Sequence, residues 1–235
     1  MHIPNTQNID FTTFEELLKK SKKENLDLQY NQKKHQLELG MQNNWFAKIF
    51  LPWDHNWQND QLVFQSKSAI ALVGIRAGQA FTGLIENRHL IDHKIFRAYM
   101  VRKKQGKSQV KHLKTKGKSR AGSKIRLAET ERFFNEINER LKVYAGQVAV
   151  DRWGIACGKT LWPYLFDAEV TPPFSKKESN LVQLPFHVQQ ASFEELQAIS
   201  ELLMGYHLLL SDEGKDFFEE IFQKPKNDLS TEDDW

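Results

Sequence analysis

The chain has 235 residues, 40% hydrophobic and 27% charged, the composition of a folded domain with a real core. No apolar run approaches the roughly 20 residues of a membrane helix, and MHIPNTQNIDF does not read as a signal peptide. With one cysteine, Cys157, no internal disulfide can form, so the expectation is a cytoplasmic protein without a membrane partner.

Residues 1–60 read as an N-terminal extension. Thr13-Phe-Glu-Glu16 has capping-box spacing and predicts a short helix carrying Leu17 and Leu18. A stretch rich in Gln, Asn and Lys follows, then WFAKIFLPWDHNW. Its Trp45, Phe46, Phe50, Trp53 and Trp57 suit packing on a core; a binding patch is the other use of such residues.

From Ala69 the pattern changes. Ala69 to Ile75 (AIALVGI) predicts a buried strand, Arg76 to Gln79 a turn with Gly78 available for positive φ, and Gln79 to Glu86 the second strand of a hairpin. Ile95 to Arg102 reads as a third strand. Leu127, Phe134, Ile137, Leu141 and Tyr144 recur at helical spacing. Gln147 to Trp153 predicts a fourth strand and Leu181 to Phe186 a fifth, ending or lying at an edge because of Pro185. Ser192-Phe-Glu-Glu195 is a second capping box, opening an amphipathic helix with Phe193, Leu196, Ile199, Leu203, Tyr206 and Leu210 on one side. Asp212 to Phe222 predicts a last helix, and residues 224–235 a polar tail. Strands interleaved with helices imply an α/β fold, a mixed β-sheet flanked by helices.

Between the third strand and the long helix lies a basic loop, 102–126, longer than ordinary connections. The net charge of +3 conceals it: His93 to Ala128 carries 13 of the 33 Lys and Arg and no acid, leaving 20 basic against 30 acidic side chains elsewhere. An acidic body with one carboxylate-free basic segment suits a polyanionic partner; a solvated or disordered basic tract has the same composition.

Several motifs fail on inspection. Gly106-Lys-Ser108 and Gly117-Lys-Ser119 lack the glycine a phosphate-binding loop needs five positions earlier, where Val101 and His112 stand. Gly154-Ile-Ala-Cys-Gly158-Lys159-Thr160 has three residues between its glycines where four are required. His89 and His93 flank Leu90, not the glutamate of a zinc-protease helix, so no metal is expected. Cys157 reads as a buried structural thiol.

The stretch from His93 to Gln109, with the pattern HK.F..Y.VR.KQG..Q, resembles a signature of the release-factor-like (VLRF-type) peptidyl-tRNA hydrolases of ribosome quality control. These are distantly similar to the catalytic domain of eukaryotic and archaeal peptide-chain release factors. Ala121-Gly122-Ser123 through Arg126, and Leu184-Pro185-Phe186 with Ala191 to Leu196, carry the likeness further, although Ala191-Ser192 stands where the family has Pro-Thr. The resemblance implies a catalytic domain over 61–223 with Gln109 as catalytic glutamine of a G-x-x-Q motif opened by Gly106. Gln105, just before the glycine, is the control residue. By the same resemblance Arg102, Lys103, Lys104, Lys107, Lys111, Lys114, Lys116, Lys118, Arg120, Lys124 and Arg126 bind RNA. His93, Tyr99, Ser108, Gly122 and Ser123 position the loop, though Ser123 and Arg126 serve equally as helix-start residues. The implied partners are the large ribosomal subunit, peptidyl-tRNA and ribosomal RNA, for a monomer without cofactor. A ribosome- or RNA-binding factor without catalysis, and a tRNA 3′-end endonuclease of the same family, are the alternatives.

Overall fold

A computed structural model describes residues 2–98 and 118–223, and of 118–127 the backbone alone. The first 60 residues are not an appendage. They fold as β1 (Gln7–Ile9), α1 (Phe11–Lys23), β2 (Asp27–Asn31), β3 (Gln36–Met41), β4 (Asn44–Phe50) and β5 (His55–Gln58), the last paired with β6 (Gln61–Phe64). The α1 cap is Asp10, whose carboxylate accepts from the Thr13 amide at 2.8 Å, not the Thr13 hydroxyl; the helix therefore starts earlier than the capping-box spacing predicts. Four of these strands join β12 (Tyr206–Leu210) in an antiparallel sheet ordered β1-β12-β4-β3-β2. Phe14, Leu17, Leu37, Leu39, Ile49 and Phe218 bury one face of it under α1 and α5 (Asp212–Gln223).

The second sheet holds β7 (Ala69–Arg76), β8 (Gln79–Glu86), β9 (His89–Arg97), β10 (Arg152–Cys157) and β11 (Leu181–Gln183), in the order β11-β10-β7-β8-β9. It is mixed: β10 runs parallel to β7 and β11, while the β7–β8 and β8–β9 pairs are antiparallel. β7 and β8 carry unbroken apolar runs because both faces are covered. α2 (Lys118–Gln147) and α3 (Trp162–Phe166) pack on one face through Ile137, Leu141, Tyr144 and Leu165; α4 (Phe193–Leu202) packs on the other through Leu196 and Ile199. The α/β class, mixed sheets flanked by helices, is as expected.

Several boundaries differ from the sequence reading. The third strand spans His89–Arg97 and so starts earlier than Ile95; the part of the expected strand from Tyr99 to Arg102 lies outside the described residues. Asn87 and Arg88 both take positive φ (49° and 72°) and close a two-residue hairpin, and as an edge strand β9 is largely polar, which hid it. α2 begins at Lys118, so 118–126 of the expected loop is helical, and it runs on to Gln147; the fourth strand therefore starts at Arg152. The apolar period from Phe193 to Leu210 crosses a turn at Met204 and Gly205, and Tyr206 and Leu210 belong to β12. Gly78 does take positive φ, 74°.

Several contacts tie the sheets together, among them those of Arg152 of β10 with Trp53 O, His55 O and Asn56 Oδ1. The Trp53 amide donates to Leu203 O at 2.9 Å, and Gln183 N to Lys33 O at 3.3 Å. Asp54, buried, accepts from Arg88 Nε at 2.5 Å. Burial would raise its carboxyl, but hydrogen bonds from His55 and Arg88 outweigh that and hold it at about 2. Among the described residues no helix is long and apolar enough to cross a membrane.

Candidate functional site

β9 is antiparallel to β8, which is antiparallel to β7, so β7, β9, β10 and β11 all end at one edge of the mixed sheet. One row of residues marks it: Cys157 lies beside Ile75, Ile75 beside Ala80, and Ala80 beside Phe96. The basic segment leaves β9 at this edge. Ala98 N still bonds Gly78 O at 2.9 Å, which holds the exit of β9 against the β7–β8 turn. Arg97 donates from Nη1 to Ala191 O at 3.0 Å, joining that exit to the start of α4.

Ala191 sits at φ 49° directly before Ser192, whose hydroxyl accepts from Glu195 N at 3.2 Å. The Glu195 carboxylate reaches back to the amides of Gln189, Gln190 and Ala191 at 2.7, 3.0 and 2.8 Å. The capping box thus sets the shape of the loop that receives Arg97.

The segment returns on α2, which is held through its C-terminal half. Phe133, Phe134, Ile137, Leu141 and Tyr144 are buried against the sheet. Asn138, fully buried, donates to Leu165 O and Val170 O, both at 2.7 Å. Arg140 pairs with Asp92 of β9, and the Tyr144 and Thr82 hydroxyls meet at 3.2 Å. Burial raises the Tyr144 phenol and outweighs the hydrogen bonds with Thr82 and Arg140, which lower it, so it stays protonated. The strand exit and the C-terminal half of α2 are therefore both fixed to one sheet.

Of the residues expected to act, Tyr99, Arg102, Lys103, Lys104, Gly106, Lys107, Ser108, Gln109, Lys111, Lys114 and Lys116 lie outside the described residues. Lys118, Arg120, Gly122, Ser123, Lys124 and Arg126 fall on the first turns of α2. His93 is exposed on β9 with its ring 4.6 Å from that of Phe193, so it supports the contact between β9 and α4.

The rejected motifs have structural reasons. Gly154 lies inside β10, where a Cβ would stand 2.5 Å from Leu72 and 2.8 Å from Trp53; it is there for close packing, not for a phosphate. Burial pushes the Cys157 thiol up to about 12, so it is neutral, as a structural thiol should be. Lys34, Gln36 and Lys48, beside Cys157 in a cleft at this edge, were missed. Their only signal is the Lys33-Lys34 pair between two alternating strands.

The profile of the family described as Bacteroidetes VLRF1 release factor matches residues 67–210. Among curated proteins none matches. A solved structure described as "Vms1 mitochondrial localization core" is similar with a TM-score of 0.42 at 11% identity, over 87% of this chain and 84% of that one.

Proposed function

The chain belongs to the Bacteroidetes VLRF1 release factor family, a release-factor-like role follows from that, and from it we propose that the protein hydrolyses peptidyl-tRNA on stalled ribosomes with Gln109 as the acting residue. The observation that carries this reading is the extent of the match. Residues 67–210 take in the whole mixed sheet, α2 to α4, and Gly106-Lys107-Ser108-Gln109 between strand and helix.

Charge supports it. The ester of peptidyl-tRNA is reached through ribosomal RNA, a dense array of phosphates. A segment with 13 basic residues and no carboxylate between His93 and Ala128 enters such a field, where an otherwise acidic body is repelled. Lysines and arginines that neutralise phosphates release counterions and give affinity without reading sequence. The scaffold supports it too, because a segment joined at both ends to elements that pack on one sheet delivers a side chain with less positional freedom than a tail.

In the reaction, water oxygen attacks the ester carbonyl, the bond from the acyl carbon to the ribose oxygen breaks, and that oxygen leaves with a proton. Gln109 is a poor acid or base, but its amide offers a donor and an acceptor. It orients the attacking water and donates to the developing oxyanion, a task for which one preorganised donor contributes roughly 3–4 kcal/mol. Gly106 supplies the backbone freedom beside it.

The test uses ribosome-bound peptidyl-tRNA with a labelled nascent chain and an end-mapped tRNA. Gln109→Ala lowers the release rate on the order of 100-fold or more while ribosome binding holds, Gln105→Ala releases normally, and the freed tRNA keeps its full 3′ end. Undiminished release by Gln109→Ala refutes the assignment of the glutamine. A shortened tRNA end means phosphodiester cleavage, not ester hydrolysis.

A further inference from the structure

The face of the first sheet turned away from α1 meets the segment after β11, and a cleft of about 500 Å³ lies between them, within the range of small-ligand sites. The alternation of β3 sends Leu37 and Leu39 into the core and Gln36 into this cleft. Gln36 is 3% exposed, yet its amide has no side-chain hydrogen-bond partner among the described residues. Neither its oxygen nor its nitrogen is sealed from solvent, so the amide faces the cleft and is free to bond what enters it. It presents a donor beside an acceptor, the combination that pairs with the edge of an unstacked nucleobase.

The rest of the lining agrees. Phe50 and Phe186 are half-buried and give the cleft aromatic surface on which a base can stack. Lys34 stands exposed on the rim, in the β2–β3 turn, without an ion-pair partner among the described residues. Lys48 is committed in part, 3.2 Å from Glu38 and 4.5 Å from the Trp45 ring centroid, which leaves Lys34 as the main cation. His187 is exposed on the opposite rim. Cys157 is part of the lining and of the edge row, three strand spacings from Phe96, about 14 Å along the sheet.

We propose that this cleft holds one unpaired nucleotide of an RNA strand, its phosphate at Lys34, its base on Phe50 and Phe186, and the base edge on the Gln36 amide. Naming that strand as the unpaired acceptor end of tRNA rests on the function proposed above; nucleotide binding by the cleft does not. The site lies on the edge where β9 ends, so a strand seated in it passes close to the exit of the basic segment.

Electrostatic attraction to the basic segment also draws in any oligonucleotide, so the test must isolate the base. Fluorescein-labelled tetraribonucleotide ending in CCA is titrated against the full chain by anisotropy, beside an abasic tetramer of equal charge. The abasic tetramer binds about tenfold more weakly; Gln36→Met and the pair Lys34→Glu with His187→Glu remove that difference, and Lys34→Arg keeps it. A thermal midpoint shared by the parent, the Gln36→Met chain and the Lys34→Glu/His187→Glu chain shows that the fold survives. Equal binding of natural and abasic tetramers overturns the site. In a second arm, tRNA trimmed of its last four nucleotides binds more weakly than intact tRNA, and equal affinity overturns the acceptor-end assignment. Normal nascent-chain release without base-dependent binding removes the cleft and leaves the proposed function; base-dependent binding without release does the reverse.

Discussion

His35 is fully buried, with φ 49°, at the end of the turn between β2 and β3. Pro52 O, 3.0 Å from Nε2, can only accept, so Nε2 carries the proton and Nδ1 accepts from the Tyr30 hydroxyl at 2.6 Å. The ring is neutral, its pKa lowered to about 3 by burial first and by Arg152 second. Between about 3 and the ordinary value of 6.5 the unfolded chain therefore binds a proton that the folded chain refuses. Stability from this group is complete above pH 6.5 and is lost as pH falls, at up to about 1.4 kcal/mol per unit. Urea unfolding at pH 7.5, 6.5, 5.5 and 4.5 should show that slope. His35→Asn, which tolerates positive φ and does not titrate, should lower stability at pH 7.5 and reduce the slope. Some slope remains because burial lowers His207 as well. An unchanged slope in the variant would mean that His35 is not the group responsible.

For α2 the decisive side chain is polar. Asn138 donates to two carbonyls, Leu165 O and Val170 O, at the join with α3 and the segment beyond it. Removing it takes this donor from the buried Leu165 O and the part-buried Val170 O, and Asn138→Ala should cost about 2–4 kcal/mol in chemical denaturation. Arg132→Ala, which breaks an exposed pair with Glu136, should cost no more than about 0.5 kcal/mol. Similar losses for the two would show that α2 is held by its apolar face alone. The apolar face of this helix could be read from the spacing of Phe134, Ile137, Leu141 and Tyr144, because a period of 3.6 survives in any context. The role of Asn138 could not, since an asparagine on an apolar face does not reveal which carbonyls it will meet. The same contrast runs through the mixed sheet. β7 and β8 were evident because burial on both faces leaves continuous apolar runs. β9, at an edge, mixes Asp92, His93 and Lys94 with its apolar residues and gave no such run. At the site, Gly106 and Gln109 are proposed from a resemblance in the chain, whereas the cleft with Gln36 depends on two sheets meeting and has no local pattern.

At the scale of the whole molecule, the match over 67–210 ends with β12, whose neighbours β1 and β4 both lie before residue 67. The chain leaves the mixed sheet after α4 to complete a sheet begun at Gln7, and α5 then covers it with Phe218. Trp53, from the N-terminal part, is buried in the core on the α4 side of the mixed sheet with Leu72 and Leu203. The two sheets are thus linked by interleaved chain as well as by surface contact, and neither keeps its core without the other. A chain of residues 61–235 loses both partners of β12 and exposes Tyr206, Leu208 and Phe218, a loss of apolar burial too large for a marginally stable domain to absorb. It should show no cooperative thermal transition by circular dichroism, whereas residues 1–223 should melt at the midpoint of the full chain. A cooperative transition in 61–235 at the full-chain midpoint would make the N-terminal sheet an attachment, and the cleft between the sheets would then be incidental to the fold.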